Sequence, residues 1–216
     1  MKTISILGAG AFGTALAISL ARPKTVLWGR NTGTIEQMQS LKQNAKHLPG
    51  LHLPDNLSVT SNIGLACRND VVLIAVPTQS LRALVTDHRD LLAERVIIAC
   101  CKGIETGTGL LPTQVVQSIL PDARLGVLTG PSFAADIAVE KPTALTLASS
   151  DRDGAQIQAL LSTQALRVYL TDDLIGAQLG GALKNVVAIA SGIVMGAGLG
   201  DSARASLMTR AFAEMT

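Results

Sequence analysis

With 216 residues, 48% of them hydrophobic and only 2% aromatic, and with 20 glycines, the chain can bury one sizeable aliphatic core, and its make-up is unlike that of a disordered polymer. A formal net charge of +2 is too small to mark a nucleic-acid or membrane-surface partner, so ligands have to be argued from individual sites. The three cysteines, Cys67, Cys100 and Cys101, include an adjacent pair inside an apolar run, which fits buried, reduced thiols better than a metal centre or a disulfide framework.

The chain begins with MKTISILGAGAFGT. One lysine leads straight into the strand-like run Ile4–Leu7, without the apolar stretch and cleavage site of a signal peptide, so a cytoplasmic location is expected. The strand enters a turn with Gly8, Gly10 and Gly13 in G-x-G-x-x-G spacing, and a helix follows over Thr14–Ala21. Each glycine has its own reason there: Gly8 for the tight turn, Gly10 for close approach of backbone to a pyrophosphate, Gly13 for close packing of helix on strand. The helix N-terminus offers free N–H groups and a positive dipole end to the phosphates. Strand before and helix after is the context that turns this spacing into a dinucleotide site.

A second strand, Thr25–Trp28, ends in Gly29-Arg30-Asn31. An acidic residue at this point suits a ribose 2′-hydroxyl, whereas arginine suits a 2′-phosphate, so Arg30 tilts the cofactor toward NADP or dual use. Thr34–Lys46 reads as a polar helix, followed by an irregular loop with Pro49, Gly50 and Pro54. His47 and His52 in this region lack a third ligand nearby, and no metal is expected. A brief strand at Val59–Thr60 and a short helix at Ile63–Arg68 come next.

The apolar runs 70–76 and 95–101 have the pattern of strands buried on both faces of a parallel sheet, with a helix over Ser80–Leu92 between them. A helix over Leu111–Leu120 leads to a strand at Leu125–Thr129, which runs into Gly130-Pro131-Ser132-Phe133-Ala134. Two further strands, Thr143–Ala148 and Leu166–Tyr169, flank a helix at Asp153–Leu161. Strands alternating with helices imply an α/β fold, a Rossmann-type mostly parallel sheet.

Near Thr171 the character changes: the strands stop, and the long apolar stretch 176–200 holds Lys184 as its one charge. Its uncharged run after Lys184 is short for a bilayer span and studded with glycine, so a helix buried in protein is expected rather than membrane insertion. A last helix, Ser202–Met215, has apolar residues at helical spacing and no stop signal. The division expected is a dinucleotide-binding domain over residues 1–172 and the beginning of an all-helical second domain over 173–216, within which the sequence ends.

Ligands of open parallel sheets bind beyond the carboxyl ends of the strands. Arg30, Pro77-Thr78, Lys102 and the loop Gly130–Ala134 all stand at such ends. Lys102 follows a fully apolar strand and can meet a carbonyl, hydroxyl or phosphate oxygen; the Gly130–Ser132 turn offers N–H groups and a hydroxyl. Lys184, a lone ammonium in an apolar helix, suits general acid/base work because burial and neighbouring cations lower a lysine's pKa.

Taken together, GAGAFGTALA, LWGR, CKGIE, LTGPSFAADIA and IGAQLGGALKNVVAIASGI closely resemble the bacterial NAD(P)-dependent glycerol-3-phosphate dehydrogenases, over essentially the whole chain. The resemblance implies reversible hydride transfer between sn-glycerol 3-phosphate and NAD(P), forming dihydroxyacetone phosphate, a step in glycerophospholipid precursor synthesis. It implies that Ala11, Phe12, Arg30, Lys102 and Ala134 contact the dinucleotide alongside Gly8, Gly10 and Gly13. It places Lys102, Gly130, Ser132 and Lys184 at the substrate, with Lys184 the proton acceptor for the C2 hydroxyl. Family members continue well past residue 216 and carry further substrate-holding residues there, so little or no turnover is expected of this stretch by itself. They also usually have glycine where Ala211 stands.

The rival enzymatic reading is a β-hydroxyacid dehydrogenase, which also pairs a dinucleotide domain with a lysine-bearing helix. A non-catalytic dinucleotide-binding module is the rival from another class, should the natural chain end here. Partners expected are the small-molecule substrate and, through the apolar face of the last helix, a second copy in a homodimer, with no nucleic acid and no membrane insertion.

Overall fold

The structure, a computed structural model, describes residues 2–150 and 152–215. Its strands are β1 (Ile4–Leu7), β2 (Thr25–Trp28), β3 (Leu57–Thr60), β4 (Val71–Ile74), β5 (Val96–Ala99), β6 (Arg124–Thr129), β7 (Thr143–Ser149) and β8 (Leu166–Thr171). They form one sheet in the order β3-β2-β1-β4-β5-β6-β7-β8, parallel everywhere except where β7 runs against β6. The order reverses direction between β1 and β4, which opens the crevice that a doubly wound sheet presents to a ligand.

Residues of β1, β4 and β5 alternate between two cores. Ile4, Ile6, Leu73 and Ile98 pack under α1 (Ala11–Ser19), α2 (Thr32–Leu41) and α8 (Gly154–Leu161). Leu7, Val72, Ile74, Ile97 and Ala99 pack on the other face, against α3 (Ile63–Ala66), α4 (Leu81–Asp87), α5 (Arg89–Leu92) and α6 (Pro112–Gln117). Burial on both faces is why these strands read as unbroken apolar runs in the sequence.

Several expected helices have different limits. The run expected as one helix over Ser80–Leu92 is a 3₁₀ turn at Thr78–Ser80 followed by α4 and α5, divided at His88. The helix expected to reach Lys46 ends at Leu41, because Lys42 takes a left-handed conformation with φ 49°. A short helix after Pro131, α7 (Ala134–Ala138), was not expected and packs on α1.

The reversal of β7 matters most for the site. Because β6 and β7 are antiparallel, the loop leaving β6 and the start of β7 lie at the same edge of the sheet as the glycine turn and the end of β5. The long helix α9 (Leu174–Gly196) then crosses β6 and β7, anchored at its start by Asp173, whose carboxylate caps the Gly176 N–H at 2.8 Å. Gln178, 4% exposed, accepts from both the N–H (2.9 Å) and the hydroxyl (3.1 Å) of Thr113 at the start of α6.

The expectation that this apolar helix is buried is not met among the described residues. Only Gln178, Gly181 and Val194 of α9 are buried, while Ile175, Val186, Ile189 and Ile193 form an exposed stripe. The cause is geometric: the helix rests on the sheet by its first turns, then runs on beside α10 (Gly200–Met215), which covers another side of it. By length and composition alone α9 is also apolar enough to cross a membrane.

Candidate active site

The glycine turn is built as its spacing predicts. Gly8 has φ +124° and lies so close to β4 that an added Cβ would sit 2.6 Å from the Ala75 carbonyl oxygen. At Gly13 an added Cβ would lie 1.9 Å from the Gly8 carbonyl oxygen, so any side chain there would force α1 away from the turn. Gly10 is the N-cap of α1 with extended backbone, and an added Cβ would meet nothing within 4 Å.

Three glycines thus divide into two that close the turn and one that leaves open space in front of the α1 N-terminus, a cradle that fits a pyrophosphate. The turn is held from behind by Asn44, 1% exposed, whose side-chain amide donates to the Ala9 carbonyl at 2.9 Å and to Thr14 Oγ1 at 2.8 Å. Sequence spacing gave no sign of Asn44. Ala11 and Phe12 are the first residues of α1, and Ala134 opens α7, which packs on α1.

Arg30 is exposed at the end of β2. It stands apart from the lysines, with β1 and β4 between its strand and β5.

Lys102 follows β5 into the crevice. Its ammonium donates to the Gly130 carbonyl at 2.9 Å and lies 5.9 Å from the centre of the Phe12 ring, so it bridges the glycine-turn helix and the loop after β6. Burial, and then the nearby positive charge of Lys184, lower its pKa to about 8. A lowered pKa at this strand-end lysine was not anticipated from the sequence.

Lys184 reaches this place because α9 approaches β6 closely at Gly181. An added Cβ at Gly181 would lie 2.8 Å from Thr129 Oγ1 and 3.8 Å from Cγ of Lys102. Lys184 is one turn further along the same helix. Gly181 and Thr129 are thus part of the site's frame, and neither was singled out from the sequence.

Gly130 has φ +155° and fits tightly against the start of β7, where an added Cβ would lie 3.0 Å from the Ala144 carbonyl oxygen. The Ser132 hydroxyl, expected to face the crevice, is engaged with Thr143 Oγ1 at 2.7 Å and the Ala144 carbonyl at 2.9 Å. Its bonds fasten the 130–134 loop to β7. The cysteines are buried, and burial holds the Cys67 and Cys101 thiols at about 11 and the Cys100 thiol well above its ordinary value, which keeps all three unreactive.

The arrangement offers an anion cradle at one end and two close ammonium groups at the other. Such a site can hold a phosphorylated dinucleotide and place cations against an oxygen on which charge develops.

Comparison with known proteins places this geometry in context. The N-terminal description of the NAD-dependent glycerol-3-phosphate dehydrogenases matches residues 3–155, and their C-terminal description matches residues 173–216. A glycerol-3-phosphate dehydrogenase [NAD(P)+] from Ruegeria sp. (strain TM1040) is 55% identical over 215 residues, covering 99% of this chain and 67% of the relative. One from Roseobacter denitrificans is 52% identical with the same coverage. Among solved structures, the glycerol-3-phosphate dehydrogenase of Coxiella burnetii superimposes with a TM-score of 0.93 at 36% identity, covering 99% of this chain and 67% of that one. The chain spans about two thirds of the length of these proteins.

Proposed function

The chain belongs to the NAD-dependent glycerol-3-phosphate dehydrogenase family, and on that premise we propose how its residues share the work of oxidising sn-glycerol 3-phosphate to dihydroxyacetone phosphate and reversing that reaction. The reaction belongs to glycerophospholipid precursor synthesis. The cofactor is NAD(P), which when bound supplies the carbon that accepts or gives the hydride. Gly8, Gly10, Ala11, Phe12 and Gly13 hold the dinucleotide together with Ala134 at the start of α7, and Arg30 favours NADP by facing a 2′-phosphate.

Lys184 takes the proton from the C2 hydroxyl as that carbon loses its hydride, and returns it when the ketone is reduced. Lys102 adds a second cation at the same oxygen, in contact with both cofactor and substrate; its placement between Phe12 and Gly130 supports this. Gly130 and Ser132 line the substrate end of the crevice.

The observation that carries the reading is the convergence of Lys102 and the Gly181–Lys184 turn at the carboxyl end of β5 and β6, beside the glycine cradle. Residues 1–172 form the dinucleotide-binding domain and 173–216 belong to a helical domain. The fastening of α9 to the sheet supports its being a helix of a cytoplasmic enzyme rather than a membrane span, and the exposed stripe of α9 supports further association, including a homodimer. The test is NADPH oxidation by a full-length version that carries the remaining third of the relatives' length, with dihydroxyacetone phosphate beside the ketones of 3-hydroxy acids. Turnover with the phosphorylated ketone is expected; a preference for the keto acids would reject the assignment.

A further inference from the structure

A second set of residues, on the turn after β4 and on α4, fixes the segment that carries Lys102. Thr78 and Gln79, in the turn after β4, and Arg82 on α4 reach across to residues 102–106 at four points. Thr78 Oγ1 donates to the Lys102 carbonyl at 3.0 Å. Gln79 donates through Nε2 to the Ile104 carbonyl at 2.9 Å and accepts from the Thr106 N–H at 3.0 Å. Arg82 grips the Glu105 carboxylate with two bonds, at 3.0 and 2.9 Å.

The pairing fits the burial of each group. Glu105 is 8% exposed, and a buried carboxylate without its guanidinium would be costly. Gly103, with φ +131°, sits where an added Cβ would lie 3.3 Å from Thr78 Oγ1, so the absent side chain lets that hydroxyl reach the backbone. The loop also closes on itself, from the Glu105 N–H to the Leu110 carbonyl at 2.9 Å and from the Gly109 N–H to the Glu105 carbonyl at 3.0 Å, but these bonds do not tie it to the turn after β4 or to α4, as those of Gln79 and Arg82 do.

We propose that Thr78, Gln79 and Arg82 are positioning residues for the reaction: they clamp the backbone of residues 102–106 so that the Lys102 ammonium is held at the reacting oxygen. This rests on the role given to Lys102 above. The bonds of the clamp go to residues 102–106, so its effect on the reaction is carried by the lysine they hold.

The experiment is a double-mutant cycle in the full-length version, which has the turnover that the cycle reads. Thr78→Val removes the hydroxyl at nearly constant volume, Thr78→Ser restores it, and Lys102→Gln removes the target. The expected kcat/KM loss for Thr78→Val is about 10-fold, since small misplacements of a reacting group are expensive. Thr78→Ser recovers most of it, and in the Lys102→Gln background Thr78→Val adds no further loss. Gln79→Ala, at an exposed position, carries the same cycle should Thr78→Val fail to fold. A loss that persists undiminished in the Lys102→Gln background, or no loss with either clamp variant while Lys102→Gln is crippled, overturns the clamp. A fully active Lys102→Gln enzyme overturns instead the role of Lys102 on which the clamp depends.

Discussion

Replacing Gly181 by alanine tests whether the approach of α9 to β6 sets the chemistry. The new Cβ would fall 2.8 Å from Thr129 Oγ1, whereas ordinary contact begins several tenths of an ångström farther out. Thr129 is buried at the end of a strand and has little freedom to retreat, so the helix must move away from the sheet. Lys184 lies three residues on and moves with it. Overpacking costs about 1–3 kcal/mol, while alanine in place of glycine inside a helix returns about 1 kcal/mol. The net stability change is therefore modest. The kinetic effect is not offset in this way, because a displacement on the order of 1 Å can cost about 100-fold in rate.

A fall of about 10-fold or more in kcat is expected, with cofactor affinity changed less than about twofold, because the glycine cradle is untouched. Gly180→Ala is the internal control, since a Cβ there meets nothing within 4 Å. Steady-state kinetics with dihydroxyacetone phosphate, together with cofactor titration, decides the matter. Gly181→Ala and Gly180→Ala behaving alike would refute the reasoning.

Two further outcomes are expected. Lys102 has its pKa lowered to about 8 by burial and by Lys184, against an unfolded value near the usual 10.5. Between those values the unfolded chain binds more protons than the folded one, so this lysine's contribution to stability improves as pH rises. The stability of Lys102→Met relative to the parent is therefore greatest below pH 8 and declines toward pH 10.5, as urea unfolding at several pH values reads directly; parallel curves would contradict the assigned environment. Arg30→Ala is expected to raise KM for NADPH by about 10-fold, the worth of a charged hydrogen bond, while KM for NADH stays near its original value. Equal changes for the two cofactors would remove Arg30 from cofactor choice.

What could be read in the sequence was whatever depends on local pattern. The strands β1, β4 and β5 announce themselves because both faces are buried, and the glycine turn because backbone geometry admits no other residue at Gly8 and Gly13. The short helix α7 was hidden because five residues after a proline carry no periodicity. The antiparallel insertion of β7 was hidden for another reason: strand direction is a non-local choice, and Thr143–Ser149 alternates in the same way whichever neighbour it joins.

The site divides along the same line. Lys102 and Lys184 could be singled out because a charge at the end of an apolar strand or inside an apolar helix breaks a pattern. Asn44, Thr129, Gly181, Gln79 and Arg82 break none, and their importance lies in contacts with residues distant in the chain, while Thr78 was legible only by its place at a strand end. The exposure of α9 was unreadable for the same reason, because a helix's own sequence does not say what covers it.

The division of labour between the lysines is tested most directly by Lys184→Ala in the full-length version, with kcat and cofactor dissociation measured on the same preparation. Loss of the acid/base group is expected to lower kcat by about 100-fold or more and to leave cofactor affinity within about threefold. A variant that keeps the parent kcat would contradict the account.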